Sequence, residues 1–342
     1  MRPTPAIRER LVHWQQNRSP RAMLHGSLTF LQAALWGAAI WAWQQEHHVL
    51  LGAIWLTSII VAHNKLIAFH EAAHGLLQPI RWLNELIGQI LGCITLVPLT
   101  AYRMVHAQHH AYVGTVRDVE FWPFVDPTVS RPRRVFAVLA ELLCAYAYDP
   151  LIFLRGVYVL RDVPAAQRRR AWREYAVCCC AWCTLAVVLT WRGWWPEFCV
   201  AFLIPSYIAA GINAVRRMVE HLGLLGDTIE TKTRTIIPGG VADQALSAAA
   251  LRVNYHTLHH RYARVPYYYL AEATRLVYAE NFNRMPVFPS YWRALLDTLP
   301  HLANPRIGAQ WLTNGSPPAQ QSTSTSPTSV DASSSDLHNG RR

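Results

Sequence analysis

Four long apolar stretches limit what this chain can become. They are Ser27–Trp43, Val49–Ile67, Tyr175–Trp191 and Glu197–Ile212. A helix that crosses a bilayer needs about 20 mostly apolar residues, and each stretch is near that length. Gln-Glu-His-His separates the first pair and Arg192-Gly193-Trp194-Trp195-Pro196 the second. Such short connections force antiparallel neighbours, so the stretches read as two helical hairpins. A backbone in lipid must satisfy its own hydrogen bonds, which leaves helices as the spanning element. The expected fold is therefore all-α and integral to a membrane. Only 15% of the 342 residues are charged, against about 25% in soluble domains.

The basic residues orient the hairpins. Net charge is +11, nearly all of it arginine; Lys65 and Lys232 are the two lysines. Arginines crowd the N-terminal segment (Arg2, Arg8, Arg10, Arg18, Arg21), the segment between the hairpins, and the end of the fourth stretch at Arg216 and Arg217. The two hairpin turns together hold only Arg192. Positive charge marks the cytoplasmic side, so both termini and the middle segment are expected there. Membrane partition, not nucleic-acid binding, accounts for this charge.

Two further apolar stretches read differently. Leu86–Leu99 is short and holds two glycines, which suggests a re-entrant or interfacial helix. Val135–Leu160 is interrupted by Glu141, Asp149-Pro150 and Arg155, which suggests a pair of amphipathic helices on the cytoplasmic surface. The expected layout is an N-terminal segment (1–26), a membrane domain (27–314) and a disordered Ser/Thr/Pro-rich tail (315–342). The seven cysteines, four of them within Cys178–Cys183, form no secreted disulfide framework. They read as small buried hydrophobes.

Eight of the sixteen histidines fall in three clusters: His70 and His74; His106, His109 and His110; His256, His259 and His260. The patterns are HxxxH, HxxHH and HxxHH. Spacings of three and four put side chains on one helix face, and neutral imidazole is a common metal ligand. Eight nitrogens exceed what one ion takes, so the pattern argues for two ions side by side. The topology puts all three clusters on the cytoplasmic side. His13, His25, His47, His48, His301 and His338 read as structural, and so does His63.

Nitrogen ligation suits zinc, copper, iron or nickel. His70-Glu71-Ala72-Ala73-His74 alone matches the HExxH zinc-protease signature, with Glu71 as general base. That reading leaves the other six histidines idle. A two-iron centre that activates O2 uses them.

His70-Glu71-Ala72-Ala73-His74-Gly75, His106-Ala107-Gln108-His109-His110 and His256-Thr257-Leu258-His259-His260, in this order on a four-span scaffold, resemble the membrane fatty acid desaturase superfamily. That superfamily also includes alkyl hydroxylases and carotenoid-modifying enzymes. The likeness runs over roughly Leu28–Leu299. It implies a histidine-held di-iron centre in a helical cap above the cytoplasmic face. It implies O2 as co-substrate and a ninth histidine before the third cluster, a place matched by His221. Some relatives carry an asparagine four residues earlier; here that residue is Arg217. Glu71, Asp118 and Glu120 are candidates to orient ligand rings, or else pair with arginines. Arg261 is expected to pair with an acidic side chain.

The resemblance implies a desaturase acting on a fatty acyl or related alkyl chain, with an alkyl hydroxylase as the alternative. No dinucleotide-binding glycine fingerprint or fused cytochrome b5 signature is present, so electrons are expected from a separate ferredoxin, rubredoxin or cytochrome b5-type protein. His256, rather than glutamine, heads the third cluster, which argues against the front-end subclass.

Overall fold

A computed structural model describes residues 4–16, 24–279 and 282–312. The expected tail at 315–342 lies outside the described residues. The described chain is helical almost throughout. α1 (Pro5–Gln16) precedes α2 (Leu24–Gln44) and α3 (His48–Ala73), which form the first hairpin. Buried Gln32 of α2 donates to Ser58 Oγ of α3 at 2.7 Å. α4 (Arg81–Ile94) and α5 (Leu99–Tyr112) follow, then α6 (Arg131–Val159) and α7 (Ala165–Arg192). α8 (Trp195–His221) returns from α7 and contains a π turn at Cys199–Leu203.

Four described helices are long and apolar enough to cross a membrane: α3, α6, α7 and α8. The number agrees with the sequence reading, but one member differs. α2 forms the expected hairpin yet falls outside this set, because Gln32, three tryptophans and several small residues dilute its apolar character. α6 joins the set instead. It consists of two helical pieces that meet at a kink at Cys144 (φ −136°, ψ 25°), in keeping with the two-helix reading of this stretch. Two of its acidic side chains are neutralised inside the bundle. Arg217 of α8 lies 2.5 Å from Asp149 and 3.5 Å from Glu141. Gly156 lets α6 close on α5, since a Cβ there would stand 2.4 Å from Val105 Cγ2.

α4 and α5 meet at 93° across residues 95–98, a bend that fits the re-entrant reading of that region. The cysteine reading is corrected: Cys178 is buried, whereas Cys144, Cys179, Cys180 and Cys183 are exposed. Apolar Cys side chains on a helix of this kind need no protein partner where lipid can cover them.

The remaining elements cap one end of the bundle. They are α9 (Ile229–Lys232), β1 (Thr235–Ile236), α10 (Val241–Ala249), α11 (His256–Arg261), α12 (Leu270–Tyr278), β2 (Val287–Phe288) and α13 (Tyr291–Thr298). β1 and β2 pair in parallel, Thr235 with Val287 and Ile236 with Phe288.

Candidate metal centre

Each histidine cluster is placed by its own local device. α3 ends between its two histidines. His74 is the C-cap and Gly75 takes φ +73°. Leu76 N–H donates to Glu71 O at 2.9 Å and Gly75 N–H to Ala72 O at 3.0 Å. This is a Schellman closure, which needs a left-handed residue after the cap. The glycine of the first cluster thus sets where His74 points.

α5 carries the second cluster on one continuous helix, with His106 and His110 on a common face and His109 to the side. α11 has six residues, too few to be stable alone. Side chains tie it down. Asn254 donates to Ile236 O at 2.8 Å and accepts from Ser247 Oγ at 2.7 Å. Thr257 Oγ1 meets Thr235 Oγ1 at 2.8 Å and Thr233 Oγ1 at 2.9 Å. All six residues are buried.

These devices bring the nine histidines of the sequence reading together. They fall into two groups, each able to hold an ion: His70, His74, His106, His110 and His259; and His109, His221, His256 and His260. Within each group the candidate ligand atoms lie within 4.8 Å of one another. His110 and His260 stack between the groups, with ring centroids 4.4 Å apart. No other described histidine joins either group.

At three of the rings a hydrogen bond fixes which nitrogen faces inward. An ionised carboxylate only accepts, so the nitrogen beside it carries the proton. His106 Nδ1 donates to Glu120 Oε2 at 2.8 Å, and His109 Nδ1 to Asp118 Oδ2 at 2.9 Å. His221 Nδ1 donates to the Lys232 carbonyl at 3.2 Å. In a neutral ring the opposite Nε2 then holds a bare lone pair. Those lone pairs converge. His106 Nε2 is 3.1 Å from His74 Nε2 and 3.0 Å from His110 Nε2. His256 Nε2 is 2.8 Å from His221 Nε2 and 3.0 Å from His260 Nε2. His259 Nε2 is buried with no hydrogen-bond partner. Inward lone pairs, outward N–H groups held by carboxylates or carbonyls, and a buried unpaired nitrogen form the donor set that a nitrogen-ligated metal requires.

Burial favours the neutral rings this needs. It pushes His256, His259 and His260 well below the ordinary histidine range, and neighbouring positive groups push the same way. Burial alone would raise the Glu120 carboxyl. The adjoining His106 and His109 rings, the His106 hydrogen bond and the Arg217 guanidinium outweigh it and hold Glu120 at about 2. Glu120 is therefore a fixed anion.

Of the residues given a double reading, Asp118 and Glu120 orient ligand-type rings. Glu71 lies 3.4 Å from His70 Nδ1 without a hydrogen bond. Arg261 pairs with Glu230 at 3.4 Å. Arg217 is taken up by α6. One residue was missed. Glu220, next to His221, places Oε2 3.5 Å from His256 Nε2 while Arg216 donates to both of its oxygens at 2.6 Å. Its only sequence signal is an acid beside a candidate histidine.

Comparison with known proteins agrees with this architecture. The bifunctional desaturase/conjugase FADX of Vernicia fordii is 21% identical over 278 residues, 72% of each chain. The sn-2 acyl-lipid omega-3 desaturase (ferredoxin) of Arabidopsis thaliana is 23% identical over 66% of this chain and 52% of its own. The sn-1 oleoyl-lipid 12-desaturase of Anabaena variabilis is 25% identical over 34% of this chain and 32% of its own. This chain thus spans about half of the Arabidopsis protein and a third of the Anabaena one. The fatty acid desaturase family model matches residues 47–289, a stretch that holds all nine converging histidines and the four helices long and apolar enough to cross a membrane. The chain belongs to the fatty acid desaturase family.

Proposed function

We propose that this chain is an O2-dependent di-iron membrane desaturase that introduces a double bond into a fatty acyl or related alkyl chain. The nine histidines named above are the proposed ligands, five for one iron and four for the other. The observation that carries the reading is the convergence of their nitrogens into two adjoining groups. When bound, two irons supply the O2-derived oxidising power needed to break unactivated C–H bonds. The chain's own residues do the rest. Asp118, Glu120 and the Lys232 carbonyl hold three rings in the ligand tautomer. Buried apolar side chains keep bulk water from the centre.

A route for an alkyl chain supports the same reading. A small cavity touches His70 and shares Leu66, Thr95 and Tyr146 with a second. The second shares Trp36, Ile94 and Phe202 with a third, apolar cavity of about 720 Å³. The three lie end to end between the spanning helices. The 720 Å³ cavity has the apolar lining an extended alkyl chain needs, while the one at His70 also carries Asp149, Asn213, Arg216 and Arg217.

The zinc-protease reading loses support. His70 and His74 share their site with three further histidines, and the other four histidines lie alongside. The family is that of an oxidoreductase. Electrons come, in this proposal, from a separate ferredoxin, rubredoxin or cytochrome b5-type protein. The name of the Arabidopsis relative specifies ferredoxin, and the +11 charge suits an acidic donor. The histidines and both termini are proposed to face the cytoplasm, on the positive-charge rule.

The test is mass spectrometry of lipids from cells with and without the gene. A product two hydrogens lighter supports desaturation. A product one oxygen heavier turns the assignment to the hydroxylase alternative, which shares the first hydrogen removal. One zinc per purified chain and no O2 consumption would overturn both.

A further inference from the structure

Two helices that carry proposed ligands stop at them. His74 is the C-cap of α3, and His221 is the last residue of α8. A helix end holds a side chain poorly, because its last carbonyls have no partner within the helix. A cationic side chain that reaches those carbonyls completes the turn and meets the negative end of the helix dipole. The structure brings one arginine to each of these two ends.

Arg103 of α5 closes the first. Its Nε donates to Ala73 O at 3.0 Å and its Nη2 to Ala72 O at 2.9 Å, the two carbonyls just before His74. Its Nη1 donates to Glu85 of α4 at 2.8 Å. Arg103 lies one turn before His106 on α5. The same fork therefore ties the helix of His70 and His74 to the helix of His106 and His110. Arg234, between α9 and β1, closes the second. Its Nη1 donates to Val219 O at 3.1 Å and to Leu222 O at 2.7 Å, carbonyls on either side of His221. Its Nε donates to Asp297 of α13 at 2.9 Å. The neighbours of Arg234 in the chain, Thr233 and Thr235, hold Thr257 of α11. Arg234 thus sits where the helix of His221 meets the helix of His256 and His260.

A guanidinium suits this task because its planar fork reaches several acceptors at once. Its charge does not, since a cation beside a metal site repels the metal. At both ends an acid, Glu85 or Asp297, offsets that charge, and what is left is position. We propose that Arg103 and Arg234 are paired positioning residues, Arg103 for the five-histidine group and Arg234 for the four-histidine group. This rests on the ligand assignment proposed above. Each arginine acts through the end of one helix, and each of those ends carries ligands of one group alone.

The test reads metal binding and not turnover. The full chain, stripped of metal in detergent, is titrated with cobalt(II) and followed by visible absorption and by ions bound per chain. His74→Ala and His221→Ala supply reference spectra with one group disabled in each. Arg103→Met should weaken the five-histidine group about tenfold, the usual scale for loss of an outer support, and leave the other group near wild type. At limiting cobalt(II) its spectrum should match His74→Ala. Arg234→Met should do the reverse and match His221→Ala. Glu85→Gln and Asp297→Asn sit at acids that solvent reaches and leave both guanidiniums in place. They should show the same split to a smaller degree, which decides the matter even where buried Arg234→Met does not fold. Arg103→Lys keeps the charge and loses the fork, so it should stay close to Arg103→Met. Full recovery by that lysine, equal weakening of both groups, or the tighter binding that relief of charge repulsion alone would give would each overturn the proposal. A wild-type chain that binds fewer than two ions would overturn the ligand assignment itself.

Discussion

Removing the Glu120 carboxylate isolates what the outer support of one histidine contributes. His106 and Glu120 are both buried, 6% exposed each, and among the described residues their contact at 2.8 Å is the only hydrogen bond of the Glu120 side chain. Glu120→Ala leaves His106 Nδ1–H facing an empty space in the protein interior. The ring then loses both its orientation and the charge that makes Nε2 a better donor. Hydrogen bonds to charged groups contribute about 1.5–3 kcal/mol, and about 1.4 kcal/mol is tenfold in an equilibrium. The expected loss in metal affinity is therefore about 10- to 100-fold, in line with the general effect of such supports.

Glu120→Gln keeps the shape and an accepting oxygen but drops the charge, so its loss should be nearer tenfold. The loss should be confined to the five-histidine group, because His106 belongs to that group alone. The assay is competition for ferrous iron against a chelator series, with iron per chain counted after each step. Both variants should release one iron early and hold the second at wild-type strength. Wild-type affinity at both sites in Glu120→Ala, or equal weakening of both, would refute the reasoning.

Arg217→Leu leaves Glu141 and Asp149 buried without their cation. Breaking one partner of a buried ion pair costs about 3–5 kcal/mol, so the thermal midpoint in detergent should fall by many degrees and α6 should lose protection in hydrogen exchange. Gly75→Ala forces a Cβ into φ +73°; a cost of about 1 kcal/mol and weaker metal retention at the five-histidine group are expected in melts and iron counts. His256, His259 and His260 have lowered pKa values in the fold, so the unfolded chain takes up protons first as pH drops. Stability and metal retention should be level above the ordinary histidine range near 6.5 and should fall progressively below it, as followed by melts and iron release against pH. The opposite slope would show that these rings are charged in the folded state.

The helical membrane class was legible because length and hydropathy alone decide whether a stretch can cross lipid. The histidines were legible because helical spacing is a local property. What was lost is what depends on distant pairing. Glu141 and Asp149 carry no local sign of their cation, Arg217, some 70 positions later. Glu220 gives no local sign of lying near His256, which is 36 residues further on. α2 was the reverse case: its length and flanks suit a span, while its tryptophans and Gln32 serve packing against α3.

The three clusters and the two groups do not correspond one to one, and the mismatch explains the patterns. HxxxH places both of its rings, one turn apart, in the five-histidine group. HxxHH does something HxxxH cannot do. Its first and last histidines share a face, and the middle one points about 100° away. In α5 the outer pair, His106 and His110, serves the five-histidine group, while His109 serves the other. In α11 the outer pair, His256 and His260, serves the four-histidine group, while His259 crosses back. Each HxxHH helix therefore reaches both groups, with opposite polarity. Two short helices act as rigid spacers that set the separation of the groups. A shift of either helix moves ligands at both groups, whereas a shift at the end of α3 moves ligands at only one. That is why the side-chain ties on six-residue α11, Asn254 and Thr257, belong to the metal centre as much as the rings they place.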